Sequence, residues 1–132
     1  MKLVFADTYY YLALVNPRDV GHAKALAYAK LATVQMVVTD WVITELADGL
    51  CAIANRPVFT RLLSIIRSGS TTVVSFDAGL MDRGLALFAE RQDKDWSLTD
   101  CISFVVMQEQ SILEALTADH HFEQAGFAAL LK

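Results

Sequence analysis

The sequence predicts an α/β fold: a three-layer α/β/α sandwich around a central parallel sheet of four to five strands, in a single domain spanning residues 1–132. Three observations carry this expectation. Short apolar runs alternate with longer stretches of helical periodicity. Each short run is nearly continuous apolar sequence, as a strand covered on both faces requires. The chain has 132 residues, 55% of them apolar, with two prolines and six glycines, which is enough for one buried core.

The elements follow in order. "KLVFA" is the first strand, closed by Asp7-Thr8, and "YYYLALV" continues as helix. Pro17 and Asp19 open a second helix, with Val20, Ala23, Ala27 and Leu31 along one face. "VQMVVT" is the second strand. From Asp40 the period turns helical again, with Val42, Ile43, Leu46, Leu50 and Ile53 on the buried side. After "ANRP" a helix runs through "VFTRLLSIIRSG" to Gly69, and "TTVVSF" is the third strand. Asp77 caps the next helix, which buries Leu80, Met81, Leu85 and Phe88. A polar stretch, "ERQDKD", leads into helical "WSLTDCISFVVMQEQ"; "ILEALTA" is the fourth strand and "FAALL" a short fifth. Repeats, low-complexity tracts and linkers are absent from this pattern.

Composition excludes some classes of function. A net charge of −4 gives no bulk electrostatic attraction for nucleic acid. Asp7 interrupts the N-terminal apolar stretch and no small-residue cleavage site follows, so a signal peptide is not expected. No uncharged apolar run approaches the roughly 18 residues that span a bilayer. A cytoplasmic protein without membrane contact is the expectation. Cys51 and Cys101 sit far apart in apolar helical patterns and read as small buried hydrophobes in a reducing compartment.

Ligands of an open parallel sheet bind beyond the carboxyl ends of its strands. Asp7 ends the first strand and Asp119 follows the fourth. Glu45 lies in the second turn of the helix after the second strand, and Asp100 in the first turn of the helix entering the fourth. All four acids can therefore reach one edge. Each also admits a structural reading: Asp7 and Asp119 as N-caps, Asp100 as the far half of a capping box with Ser97, Glu45 as a solvated helical acid. Carboxylates gathered in one pocket raise one another's pKa, and a divalent cation removes that penalty. Oxygen-only ligands select hard Mg²⁺ or Mn²⁺, which takes its remaining ligands from water and substrate phosphate. That arrangement suits phosphodiester hydrolysis.

The stretches "VFADTYYYLAL", "VVTDWVITELADGL", "DKDWSLTDCISFVVMQE" and "ALTADHHFEQAGFAAL" resemble the PIN-domain ribonucleases, and within them the VapC-type toxins of toxin–antitoxin pairs. The resemblance runs from end to end of the chain. It implies a PIN-like fold and a metal-dependent endoribonuclease whose acidic quartet is Asp7, Glu45, Asp100 and Asp119. Asp7, Asp100 and Asp119 would bind Mg²⁺ or Mn²⁺ directly, while Glu45 would hold a second ion or orient the water. Thr8 and Thr99 match small hydroxyl positions that support the cluster or touch phosphate. The implied partners are an RNA substrate, a small VapB-like antitoxin gripping the first helices, and a second copy of the chain in a homodimer.

The histidines depart from this chemistry. Adjacent residues on a helix diverge by about 100°, so His120 and His121 are expected at the helix start or rim rather than as joint ligands of one ion. His22, near Lys24 and Lys30, is expected in solvent. Arg56, Arg61 and Arg67 read as a solvated helix face or a basic edge for phosphate. The run Tyr9-Tyr10-Tyr11 reads as a surface to stack a base, with at least one of its rings in the core, and Trp41 and Trp96 admit both roles. An alternative of another class is a non-catalytic RNA- or protein-binding module that keeps the fold. A phosphoacceptor built on Asp7 fits less well, because no Lys lies near the later strand ends.

Overall fold

The computed structural model describes residues 1–132. Strands β1 (Lys2–Ala6), β2 (Val34–Thr39), β3 (Thr72–Val74), β4 (Glu114–Leu116) and β5 (Ala128–Ala129) form one wholly parallel sheet in the order β3-β2-β1-β4-β5. The helices are α1 (Thr8–Val15), α2 (His22–Ala29), α3 (Asp40–Gly49), α4 (Arg56–Ser68), α5 (Ala78–Glu90), α6 (Leu98–Glu109) and α7 (His120–Gln124). The chain steps from β1 outward through β2 to β3, then crosses back to lay β4 and β5 on the other side of β1. Each parallel pairing is joined through helices, as crossover connections in a parallel sheet require, in keeping with the layered α/β architecture expected from the alternation of elements. No helix is long and apolar enough to cross a membrane.

The elements have local causes. β1 enters the core with Val4, Phe5 and Ala6 fully buried, as a central parallel strand should be. Thr39 caps α3 by accepting the Val42 N–H at 3.1 Å, and Asp77 caps α5 through Leu80 N–H at 2.9 Å. Pro57 lies in the first turn of α4, where its missing N–H costs nothing. The most deeply packed helix is α6, in which Cys101, Ile102, Phe104, Val106 and Met107 are all buried. It meets α5 closely: a Cβ at Gly84 would lie 2.3 Å from Ile102 Cγ1. Because Ile102 is itself fully buried and Cγ1 is the stem of its side chain, it has little room to yield. Gly84→Ala is therefore expected to lower stability by about 1–3 kcal/mol, read as a reduced midpoint in urea unfolding at unchanged slope.

Several sequence expectations are corrected. The second helix starts at His22 rather than at Pro17, because residues 17–21 form turns held by Asp19, whose Oδ1 accepts the Gly21 N–H at 2.8 Å. Its buried side carries Gly21 and Ala25, while Val20, Ala23, Ala27 and Leu31 are exposed. Ile53 falls outside α3 and is 90% exposed, and Cys51 is exposed beside it; only Cys101 is buried. On α5, Leu80 packs inward with Gly84, leaving Leu85 and Phe88 exposed. β3 is shorter than "TTVVSF" because the Phe76 N–H leaves the ladder to donate to Asp40 Oδ2 at 2.8 Å. His22 is not free in solvent: its Nδ1 sits 2.8 Å from the Ala13 carbonyl. Trp96 resolves to core, with Nε1 donating to Gln124 Oε1 at 3.0 Å.

Candidate functional site

β1 and β4 are neighbours in space but belong to opposite halves of the winding, so the crevice beyond their carboxyl ends is the switch point of the sheet. Phe5 and Ala6 pair with Ala115 and Leu116, which sets the next residues of both strands side by side. There Thr117 Oγ1 donates to Asp7 Oδ2 at 2.8 Å and accepts the Asp119 N–H at 3.0 Å. One buried hydroxyl thus ties the two strand-end acids together. A cavity of about 520 Å³ opens at this edge, and Asp7, Glu45, Asp100 and Asp119 all line it.

Each acid is placed by its own element. Asp7 occupies the N-cap position of α1 but makes no side-chain cap bond, so capping does not explain it. Asp100 does complete a capping box, its Oδ2 accepting the Ser97 N–H at 3.2 Å while Ser97 Oγ accepts the Asp100 N–H at 3.0 Å. Asp119 caps α7 by accepting the His121 N–H at 2.9 Å. Glu45 is exposed on α3 and is reached from α1 by the Thr8 hydroxyl, which donates to its Oε1 at 2.5 Å. Thr8 lines the cavity. Thr99 does not; its carbonyl accepts the Ser103 hydroxyl one turn along α6. The segment that enters α6 is tied to α7 by the Trp96–Gln124 bond, and α6 packs on α7 through Phe104 edge-on against Phe122 at 4.9 Å, which sets Asp100 against Asp119.

Charge at this edge is one-sided. Asp95 brings a fifth carboxylate, no Lys or Arg lines the cavity, and His121 is its one basic side chain. Burial pushes the Asp7 carboxyl up to about 7, aided by the charges of Asp100 and Glu45 and opposed by the Thr117 hydrogen bond. Asp100 is likewise raised, by burial first and then by Asp119. A set of carboxylate oxygens under this strain fits a hard divalent cation. Thr117→Val keeps the shape but removes the tie. It is expected to cost about 1–3 kcal/mol in urea unfolding and to lift the Asp7 carboxyl further.

Sequence reasoning missed His121 as a member of this site. Its Nδ1 lies 3.2 Å from Asp100 Oδ2 and 3.4 Å from Asp119 Oδ1, bridging the two acids. The expected divergence of the two histidines also fails: their rings lie 4.4 Å apart, and with Asp119 they offer ligand atoms within 4.8 Å of one another. Asp95, hidden in the polar "ERQDKD" stretch, and Thr117 were missed as well. The Thr at two residues before Asp119 was the available signal, since that spacing suits a hydroxyl that takes the Asp N–H.

No family model matches the chain. In sequence it is similar to the 23S rRNA-specific endonuclease VapC20 of Mycobacterium tuberculosis, with 27% identity over 132 residues covering 95% of both chains. The crystal structure of M. tuberculosis VapC20, a sarcin-ricin loop cleaving toxin, matches with a TM-score of 0.84 at 24% identity, over 95% of this chain and 96% of that one. VapBC2 from Rickettsia felis, solved bound to a DNA fragment from its promoter, gives 0.69 at 13% identity over 96% of each chain. VapBC-1 from nontypeable Haemophilus influenzae gives 0.67 at 14% identity, over 98% of this chain and 99% of that one. The resemblance read from the four sequence stretches is thereby borne out, and the fold is that of the VapC-type PIN toxins.

Proposed function

We propose that this chain is a Mg²⁺- or Mn²⁺-dependent endoribonuclease and the toxin of a type II toxin–antitoxin pair, acting in the cytoplasm. The observation that carries the reading is the convergence of Asp7, Glu45, Asp100 and Asp119 on one cavity at the switch point of the sheet, without a Lys or Arg to neutralise them. A bound divalent cation there would lower the pKa of an attacking water and neutralise charge on the scissile phosphate. Asp7, Asp100 and Asp119 would hold the ion. Glu45, its carboxylate steadied by Thr8, would orient the water or a second ion. Thr117 fixes the orientation of Asp7, and His121 that of Asp100 and Asp119. Similarity to VapC20 supports the sarcin–ricin loop of 23S rRNA as the first RNA to try.

The partner side of the proposal rests on apolar surface. A cavity of about 190 Å³ opens between α1, α2 and α4, lined by Leu14, Leu31, Leu62 and Ile65 among others. Leu31 and Ile65 are substantially exposed there, at 46% and 60%. A VapB-like antitoxin covering this groove fits the likeness to VapBC structures. Exposed Leu85 and Phe88 on α5 offer apolar surface to a second copy of the chain in a homodimer.

The test is incubation of the purified protein with a sarcin–ricin hairpin RNA and Mn²⁺. One discrete cut, absent in EDTA, is expected. Equal cleavage with and without EDTA would rule the metal mechanism out. No cleavage of any RNA, together with no Mn²⁺ binding, would leave a non-catalytic binding module as the better reading.

A further inference from the structure

The cavity that holds the acids has two chemically different kinds of lining. Among the carboxylates, its only apolar lining comes from Tyr9, Leu12 and Ala118. Tyr9 and Leu12 are one turn apart on α1 and so present a continuous surface. Of the three consecutive tyrosines, Tyr10 and Tyr11 are buried and packed edge-to-face at 4.9 Å, so Tyr9 alone is available to a ligand.

The ring of Tyr9 is fixed in place. Its hydroxyl donates to Asp19 Oδ1 at 2.5 Å, and the same oxygen accepts the Gly21 N–H at 2.8 Å. Asp19 lies outside the cavity, so the hydroxyl is engaged elsewhere and the ring is what Tyr9 offers to the site. Gly21 makes room for this arrangement: a Cβ there would lie 2.6 Å from the Tyr9 oxygen. The turn between α1 and α2 thus acts as a clamp that holds an aromatic plate beside the acids. A ring immobilised before binding loses little entropy on contact with a ligand.

We propose that Tyr9, with Leu12 beside it, is the surface on which the nucleobase next to the cleaved phosphodiester stacks, making Tyr9 a substrate-positioning and specificity-determining residue. This rests on the ribonuclease reading above. Acids that engage phosphate through a cation and an aromatic ring in the same cavity that engages a base divide one nucleotide between them.

The experiment uses a cleaved RNA in which the base on either side of the cut is replaced, one at a time, by an abasic site. Single-turnover rates and apparent affinities are measured for the wild type, Tyr9→Leu and Tyr9→Phe. At one of the two positions the wild type is expected to cleave the intact RNA about tenfold or more better than the abasic RNA, the scale of one base–aromatic stack. Tyr9→Leu should erase that ratio, chiefly through affinity, and Tyr9→Phe should keep most of it, because the ring remains although its bond to Asp19 is lost. An undiminished ratio in Tyr9→Leu, or no ratio in the wild type, overturns the role of Tyr9 while leaving the nuclease intact. A wild type that cleaves no RNA with Mn²⁺ overturns the ribonuclease reading itself, and this inference with it.

Discussion

Asp7→Asn is expected to abolish metal-dependent RNA cleavage while making the metal-free protein more stable at pH 8. The loss should reach about 10³-fold or more in rate, the upper end of what one oxyanion-hole donor is worth, because a charged ligand to the ion is being removed. The gain in stability has a separate cause. Asp7 is buried among acids, and its carboxyl is pushed up to about 7, so holding it ionised works against folding at alkaline pH. Asn keeps an oxygen to accept the Thr117 hydroxyl and carries no charge. Thermal unfolding of the metal-free variant at pH 8 should therefore show a midpoint several degrees above wild type. A variant that is both inactive and less stable would mean that Asp7 serves the fold rather than the chemistry.

The second large effect is the pH dependence of wild-type stability without metal. Asp7 titrates near its ordinary value of 3.8 when unfolded and at about 7 when folded, so the folded state binds the proton more tightly. Its contribution is fully present below pH 4 and is lost as pH rises from there through 7. The span corresponds to about 4 kcal/mol at most, and the raised Asp100 adds in the same direction. Urea unfolding from pH 5 to 8 should show falling stability in the wild type and a flatter profile in Asp7→Asn. Saturating Mn²⁺ should flatten the wild-type profile too, because an ion at the carboxylates favours their charged form. Parallel profiles for the two proteins would contradict the assignment.

Much of this fold was legible because its strands are short, apolar and regularly spaced between helices. The positions of Asp7 and Asp119 were legible for the same reason, since a residue that ends a parallel strand must lie at its carboxyl edge. Strand order was not, yet the order is what puts these two acids at the switch point between β1 and β4. The inner side of α2 was misread because "HAKALAYA" is apolar on several sides, so periodicity alone does not select a face. His121 was missed for a geometric reason. Backbone spacing separates adjacent residues, but a capped start of α7 leaves both imidazoles free to turn toward Asp119, and one of them reaches Asp100. The local capping rules were correct for Asp100 and Asp119 and did not compete with a role in the cluster.

The central claim is that the acids gather to hold a divalent cation, and Mn²⁺ titration by calorimetry at pH 7.5 addresses it most directly. Saturable binding to the wild type is expected, lost in Asp7→Asn and in Asp100→Asn, and kept in Asp48→Asn, whose exposed carboxylate lies outside the cavity. Binding that survives both Asp7→Asn and Asp100→Asn unchanged would contradict the account.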